Sequence, residues 1–179
     1  MALGSTVYNF DIDLADSDRG VYETLAVRMA RHPSESEEFL VARLLAYCLE
    51  YEEGIEFSRG GLSDPDDPPI AVKDLTGIVK AWIDIGTPAA DRLHRAAKST
   101  PRVAVYSHKE SGQWLAGLKA ARIHKAEDLE LYAIERSLVG ALAAKLDRRM
   151  SFALAVSDRE VFLSLADATL TGKIDRLKL

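Results

Sequence analysis

Asp74-Leu75-Thr76-Gly77-Ile78-Val79-Lys80-Ala81-Trp82-Ile83-Asp84-Ile85-Gly86-Thr87-Pro88 reads as a turn that enters a buried strand and stops at Gly-Thr-Pro before a helix. The apolar run from Ile78 to Ile85 is far too short to cross a membrane and is bounded by turn residues, so it predicts a core strand. Side chains alternate across a strand. Val79, Ala81, Ile83 and Ile85 therefore share the core face, and Lys80, Trp82, Asp84 and Gly86 the other. Asp84 is the anomaly. A carboxylate inside such a strand is costly to bury unless a metal, a cation or hydrogen bonds compensate it.

The chain has 179 residues, 47% of them apolar and 28% charged, with a net charge of −5. This size predicts one domain over residues 1–179 with a substantial core. No run approaches the length of a membrane helix, and MALGSTVYNF has neither a basic start nor a long apolar segment, so a cytoplasmic protein without a signal peptide is expected. The lone Cys48 lies in a helical apolar pattern and reads as a buried side chain in a reducing compartment. The acidic balance argues against a protein that coats nucleic acid nonspecifically, while leaving room for a local basic patch.

Working outward, residues 6–14 alternate (Tyr8, Phe10, Ile12, Leu14), and residues 21–31 alternate again with Leu25, Val27 and Met29. Two strands closing a hairpin are expected, with a helix as the rival over 21–31. Asp11 and Asp13 read as solvated strand residues. Ser34 followed by Glu37 is a capping box, and the helix it opens runs to about Tyr51, with Glu35, Glu37 and Glu38 near its start. A short strand at 55–59 ends at Gly60-Gly61, and residues 64–69 form an acidic proline loop. Beyond Pro88 a helix over 89–99 and a strand over 103–107 are predicted, then a helix over 112–121, a strand over 128–134 and a helix over 137–146. The tail reads as a hairpin (150–156 and 161–165) and an alternating strand over 169–178. From Arg92 through Lys109 there are five Lys or Arg residues, against the acidic trend of the chain.

The wording DLTGIVKAWIDIGTP, with RHPSE, FSRG, VAVYSH and the opening MALGSTVYNF in that order, resembles the YaeQ family of small bacterial proteins over nearly the whole chain. That family in turn resembles the PD-(D/E)XK, restriction-endonuclease-like superfamily. The implied fold is α/β: a central mixed sheet flanked by helices, with a nuclease-like core over about 34–107 and extra hairpins at both ends. The implied site is an acid from the first helix (Glu38, or Glu35), an Asp opening a core strand (Asp74) and the acid of the (D/E)-x-K tripeptide (Asp84). Together these would hold Mg²⁺ or Mn²⁺ for phosphodiester hydrolysis.

The tripeptide departs from the pattern, since Gly86 stands where the lysine belongs. Arg92, Arg95 or Lys98 on the following helix would have to supply the cation. Lys80 shares the strand face of Asp84 but lies about 13 Å from it along the strand. Arginine is a poor proton acceptor because it stays charged. Two function classes remain open: a metal-dependent nuclease relative built on Asp74, Asp84, Glu38, Arg92 and Arg95, and a non-catalytic member of the same fold. The latter would bind nucleic acid or protein through the cleft or the Arg92–Lys109 segment. The four scattered histidines show no zinc spacing, and neither a phosphate loop nor a nucleophile elbow is present. Trp82 and Trp114 read as core residues.

Overall fold

The computed structural model of the protein describes residues 4–59 and 64–179. The expected Gly60-Gly61 stop and the first three residues of MALGSTVYNF lie outside them. The described chain forms two compact units, one reaching up to Val41 and including Ile134–Asp175, the other Ala42–Ala133 with Arg176–Leu179. No helix among the described residues is long and apolar enough to cross a membrane.

In the first unit, β1 (Thr6–Asp16) and β2 (Val21–Arg31) pair antiparallel without a break from Thr6↔Arg31 to Asp16↔Val21. Tyr8, Phe10, Ile12 and Leu14 are buried, as are Leu25, Val27 and Met29. Two-residue alternation puts all seven on one face, which is why the strand prevails over the rival helix at 21–31. Asp11 and Asp13 are exposed. The other edge of β1 takes β8 (Arg149–Ser157) in parallel, from Asn9↔Arg149 to Asp16↔Val156. β9 (Glu160–Ser164) and β10 (Thr169–Leu177) then follow antiparallel. This sheet therefore runs β2-β1-β8-β9-β10.

The β8–β9 turn carries Asp158 and Arg159 at φ 51° and 58°, unusual for residues with a side chain. Both of their amides donate to the Asp18 carboxylate, at 2.8 and 2.9 Å, which offsets that strain. The helix α4 (Arg136–Ala144) buries Leu138, Val139, Leu142 and Ala143. It meets β10 at Gly172, where a Cβ would stand 2.6 Å from that of Leu138.

The second unit's sheet runs β7-β6-β5-β4-β3. β3 (Ile55–Phe57), β4 (Ile70–Lys73) and β5 (Val79–Ile85) are antiparallel neighbours. β5, β6 (Arg102–Ser107) and β7 (Glu130–Ile134) are parallel. α1 (Glu37–Leu49) is capped by Ser36, whose hydroxyl accepts the Phe39 amide at 3.1 Å. The cap is thus two residues later than the expected Ser34, whose own amide goes to His32 Nδ1. α2 (Ala90–Ser99) and α3 (Gly112–Ala120) contribute Leu93, Ala96 and Leu118 to a cluster with Trp82, Val103, Val105 and Leu131. Cys48 is fully buried.

The expected α/β architecture, one central mixed sheet flanked by helices with a restriction-endonuclease-like core over 34–107 and hairpins added at the ends, is corrected by these pairings. The described residues are mostly β, with ten strands and four α-helices. The terminal hairpins are not additions. They are joined through the β1–β8 parallel pairing in the order β2-β1-β8-β9-β10. β4 was also missing from the expectation, because four residues after Pro68-Pro69 carry too little alternation to read. The reason is general: periodicity identifies a strand, but the partner on its other edge lies far away in sequence and leaves no local mark.

The Gly172–Leu138 contact makes a prediction. Gly172→Ala destabilises the protein by about 1–3 kcal/mol through overpacking, and Leu138→Ala alone costs about 2–5 kcal/mol. In urea unfolding the double variant loses less than the sum, since the small side chain at 138 makes room at 172. Additive losses would contradict the close approach.

Candidate functional site

Asp84 is buried, with only 3% of its surface exposed. Its compensation comes from Arg92, one turn into α2. Arg92 Nε donates to Asp84 Oδ2 at 2.7 Å and Nη2 to Oδ1 at 3.2 Å, a two-pronged pairing of the strong kind. The Trp82 indole N–H, on the same face of β5, adds a third bond to Oδ2 at 3.1 Å. The guanidinium lies 5.1 Å from the Trp82 ring centre. Its remaining N–H groups reach the acidic proline loop, with Nη1 donating to the carbonyls of Asp64 and Pro65 at 3.2 Å each and Nη2 to that of Asp67 at 3.1 Å. Asp67 is held in turn by the Ser58 hydroxyl. One arginine thus closes β5, α2 and the loop into a single knot.

The other expected site residues are not gathered here. Asp74 sits in the β4–β5 turn, its amide bonded to the Ile78 carbonyl at 2.9 Å. Six residues of strand put it about 20 Å from Asp84. Its carboxylate organises the turn, and the Thr76 hydroxyl and Ile78 amide that donate to it hold it below the ordinary aspartate pKa. Glu38 is exposed in the first turn of α1, and Glu35 is buried with its carboxylate on the His32 amide at 3.2 Å. Arg95 and Lys98 are exposed on α2. Among the described residues no group of three or more His, Cys, Asp or Glu could hold a metal ion. The donor set does not fit a shared divalent cation: both oxygens of Asp84 are engaged by Arg92 and Trp82, and Asp74 is a strand-length away. Gly86, in place of the tripeptide lysine, has φ +88° and donates to the Tyr106 carbonyl at 2.9 Å. A side chain there would be strained, so glycine is what this backbone requires.

A second cluster escaped the sequence reading. Arg102 bonds bidentately to Glu50 (2.7 and 3.0 Å) and to Glu130 (2.6 and 3.0 Å). The Tyr106 hydroxyl donates to Glu50 at 2.5 Å and that of Tyr132 to Glu130 at 3.0 Å. The two rings stack 4.8 Å apart, and Arg176 closes the row on the Tyr132 oxygen at 3.0 Å. Burial opposes charge on Arg102, but its hydrogen bonds to Glu130 and Glu50 outweigh that and raise its pKa further. Burial, then the charge of Glu50, pushes Tyr106 well above the ordinary phenol value. Glu130 is pushed up by burial, but its hydrogen bonds from Arg102 prevail and leave it lowered. One signal was available. Glu50 follows directly on the last residue of α1, the end where the helix dipole disfavours a carboxylate and asks for a cation.

The basic segment divides. Arg92 and Arg102 are spent on internal carboxylates. Arg95, Lys98, Lys109, Lys119, Arg122 and Lys125 are exposed, and none forms an ion pair with a described carboxylate. His94 Nδ1 accepts the His124 amide at 3.0 Å, and the two rings meet edge to face at 6.5 Å. This contact brings α2, with Arg95 and Lys98, against the stretch carrying Arg122 and Lys125. Ile123 is buried beneath it in the same cluster as Leu93 and Ala96, which turns Arg122 and His124 outward.

Comparison with known proteins supports the resemblance read from the sequence. A family model described as "YaeQ protein" matches residues 1–174. The chain is 28% identical over 166 residues to "Uncharacterized protein YaeQ" of Escherichia coli (strain K12), covering 92% of this chain and 91% of that one. The crystal structure of YaeQ protein from Pseudomonas syringae matches with a TM-score of 0.86 at 32% identity, over 98% of this chain and 97% of that chain. That of YaeQ protein from Xanthomonas axonopodis pv. citri matches with a TM-score of 0.87 at 29% identity, over 97% and 98%.

Two outcomes follow from the ion pairs. Asp84→Ala leaves the part-buried Arg92 guanidinium without its counter-charge and costs about 3 kcal/mol, whereas Asp84→Leu combined with Arg92→Met costs less than the two single changes together. Chemical unfolding of the native protein, Asp84→Ala, Asp84→Leu, Arg92→Met and the double variant measures this. The second concerns pH. The folded pKa of Glu130 is lowered, so its stabilisation is complete above the ordinary glutamate value of about 4.5 and is lost as pH falls through the lowered value. The melting temperature of the native protein drops more steeply between about pH 5 and pH 3 than that of Glu130→Gln. Parallel profiles would mean that Glu130 carries no such linkage.

Proposed function

Because this chain belongs to the YaeQ family, we propose that it is a non-catalytic nucleic-acid-binding protein rather than a phosphodiesterase. The observation that carries the reading is the division of labour among the cations between Arg92 and Lys125. Those facing Asp84, Glu50 and Glu130 are locked inside the fold, and those on the α2 surface are exposed and unpaired. Asp84, the acid that a metal-dependent site would need, is a structural anchor in this reading. Arg95, Lys98, Arg122 and Lys125 are exposed on the two stretches that the His94–His124 contact joins, with the exposed carboxylates Asp91, Glu127 and Asp128 on the same stretches. Exposed cations attract phosphates by charge and counterion release, with little call for base contacts. The Trp114 indole is turned to the Pro88 carbonyl at 2.8 Å, so base stacking is not assigned to it.

The test is fluorescence anisotropy of labelled single-stranded RNA, single-stranded DNA and duplex DNA over a range of salt, with Mg²⁺ or Mn²⁺ present and the probes examined on gels afterwards. Binding should weaken with salt, and Arg95→Ala with Lys98→Ala should reduce the log–log slope by about 1.5. The probes should remain intact. Metal-dependent cleavage that disappears in Asp84→Asn would sink the proposal, as would absence of binding at low salt.

A further inference from the structure

The first unit leaves one face of β1 and its neighbours open. Tyr8, Phe10, Ile12 and Leu14 point to the buried face, so Asn9, Asp11, Asp13 and Ala15 mark the other. Register lays that face out in rows. Tyr22, Ala15, Ala155 and Phe162 stand side by side across β2, β1, β8 and β9. Toward the opposite end Arg28 and Arg149 flank Asn9. Asp11 and Asp13 lie between the two rows.

This face is both apolar and charged. Tyr22 is 64% exposed and Phe162 38%, and the row they bracket is about 14 Å wide. Arg28, Arg149, Asp11 and Asp13 are exposed and form no ion pair among the described residues. A phosphate chain drawn to the arginines would be repelled by the two aspartates, so nucleic acid fits this face poorly. A second copy of the chain brings both signs itself.

A two-fold axis in the plane of the face, crossing the strands at Asp11, shows the fit. It lays β1 antiparallel over β1 of the second copy at the usual sheet spacing of about 10 Å. Asp13 then comes over Asn9 of the second copy, between the Arg28 and Arg149 that flank it, and the reciprocal contact forms on the other side of the axis. Tyr22 comes over Ala30 and Ala15 over Val7. A hollow of about 470 Å³ beside Val7, Asn9 and Arg149 leaves room there for the bulk of the aromatic row. The two Asp11 residues meet at the axis, but each patch holds two arginines and two aspartates, so the interface as a whole is neutral. Four strands and the 26 Å or so of β1 between Val7 and Ala15 cover about 500 Å² on each copy. That is the lower limit for a specific interface and implies a reversible dimer at micromolar concentration.

We propose that this open face is the interface of a symmetric dimer, occupied by a second copy of the chain, with Asp13 of each copy set against Arg28 and Arg149 of the other. The interface lies within the first unit and does not depend on nucleic-acid binding at α2.

Sedimentation velocity of the full chain, from micromolar to submillimolar concentration, should show a monomer–dimer equilibrium. Arg28→Asp and Asp13→Arg should each weaken the dimer about tenfold or more, because like charges are then apposed. Mixed together, the two variants should dimerise with each other, since every reversed charge meets its opposite; a folding defect would not be repaired in this way. Arg95→Ala with Lys98→Ala should leave the dimer unchanged, which separates it from the α2 surface. A chain that stays monomeric throughout, a dimer indifferent to the reversals, or variants that remain apart when mixed would overturn the proposal. So would single-stranded RNA binding by a monomeric chain that is lost in Tyr22→Ala with Phe162→Ala, which would give the face to nucleic acid.

Discussion

A carboxylate on a buried strand is the constraint around which the second unit is arranged. A carboxylate buried there is costly without a partner, and Arg92 supplies one. A guanidinium has five N–H donors. Those of Arg92 make five hydrogen bonds, two to Asp84 and three to the carbonyls of residues 64, 65 and 67. The charge that rescues Asp84 therefore also fixes the proline loop against the end of β5. A lysine would reach the carboxylate but lacks the fork needed to hold the loop at the same time.

β6 shows the same principle on both of its faces. Val103 and Val105 enter the apolar cluster with α2 and α3, while Arg102 and Tyr106 point the other way, onto Glu50, Glu130 and Tyr132. Burial makes each of these charges expensive alone and mutually supportive together. Among the cations the fold leaves exposed are Arg95 and Lys98 on α2. A charged segment read along the sequence cannot show this, because it counts Arg92 and Arg102 with Arg95 and Lys98.

Much of the element order was legible. The alternation of Phe10, Ile12 and Leu14, the helical stripe around Leu44 and Cys48, and the apolar run into Asp84 all appear as read. The anomaly at Asp84 was legible too, as was the candidacy of Arg92 for the cation beside it. The fold does not gather the residues of the family pattern around Asp84. Asp74 belongs to a turn that it stabilises itself, and Gly86 sits in a left-handed conformation that suits glycine. A resemblance transfers residue positions, but only geometry says which oxygens are free.

The sequence by itself determined most of the local states of the chain, β4 and the exact cap of α1 apart, and the family it joins, because side-chain periodicity acts over a few residues and is written there directly. The tertiary structure alone decided which strands pair and which charges neutralise one another. Asp16 meets Val156, and Arg102 meets Glu50 from 52 residues away. Those choices depend on desolvation and distance between segments remote in the chain, and no local pattern encodes either.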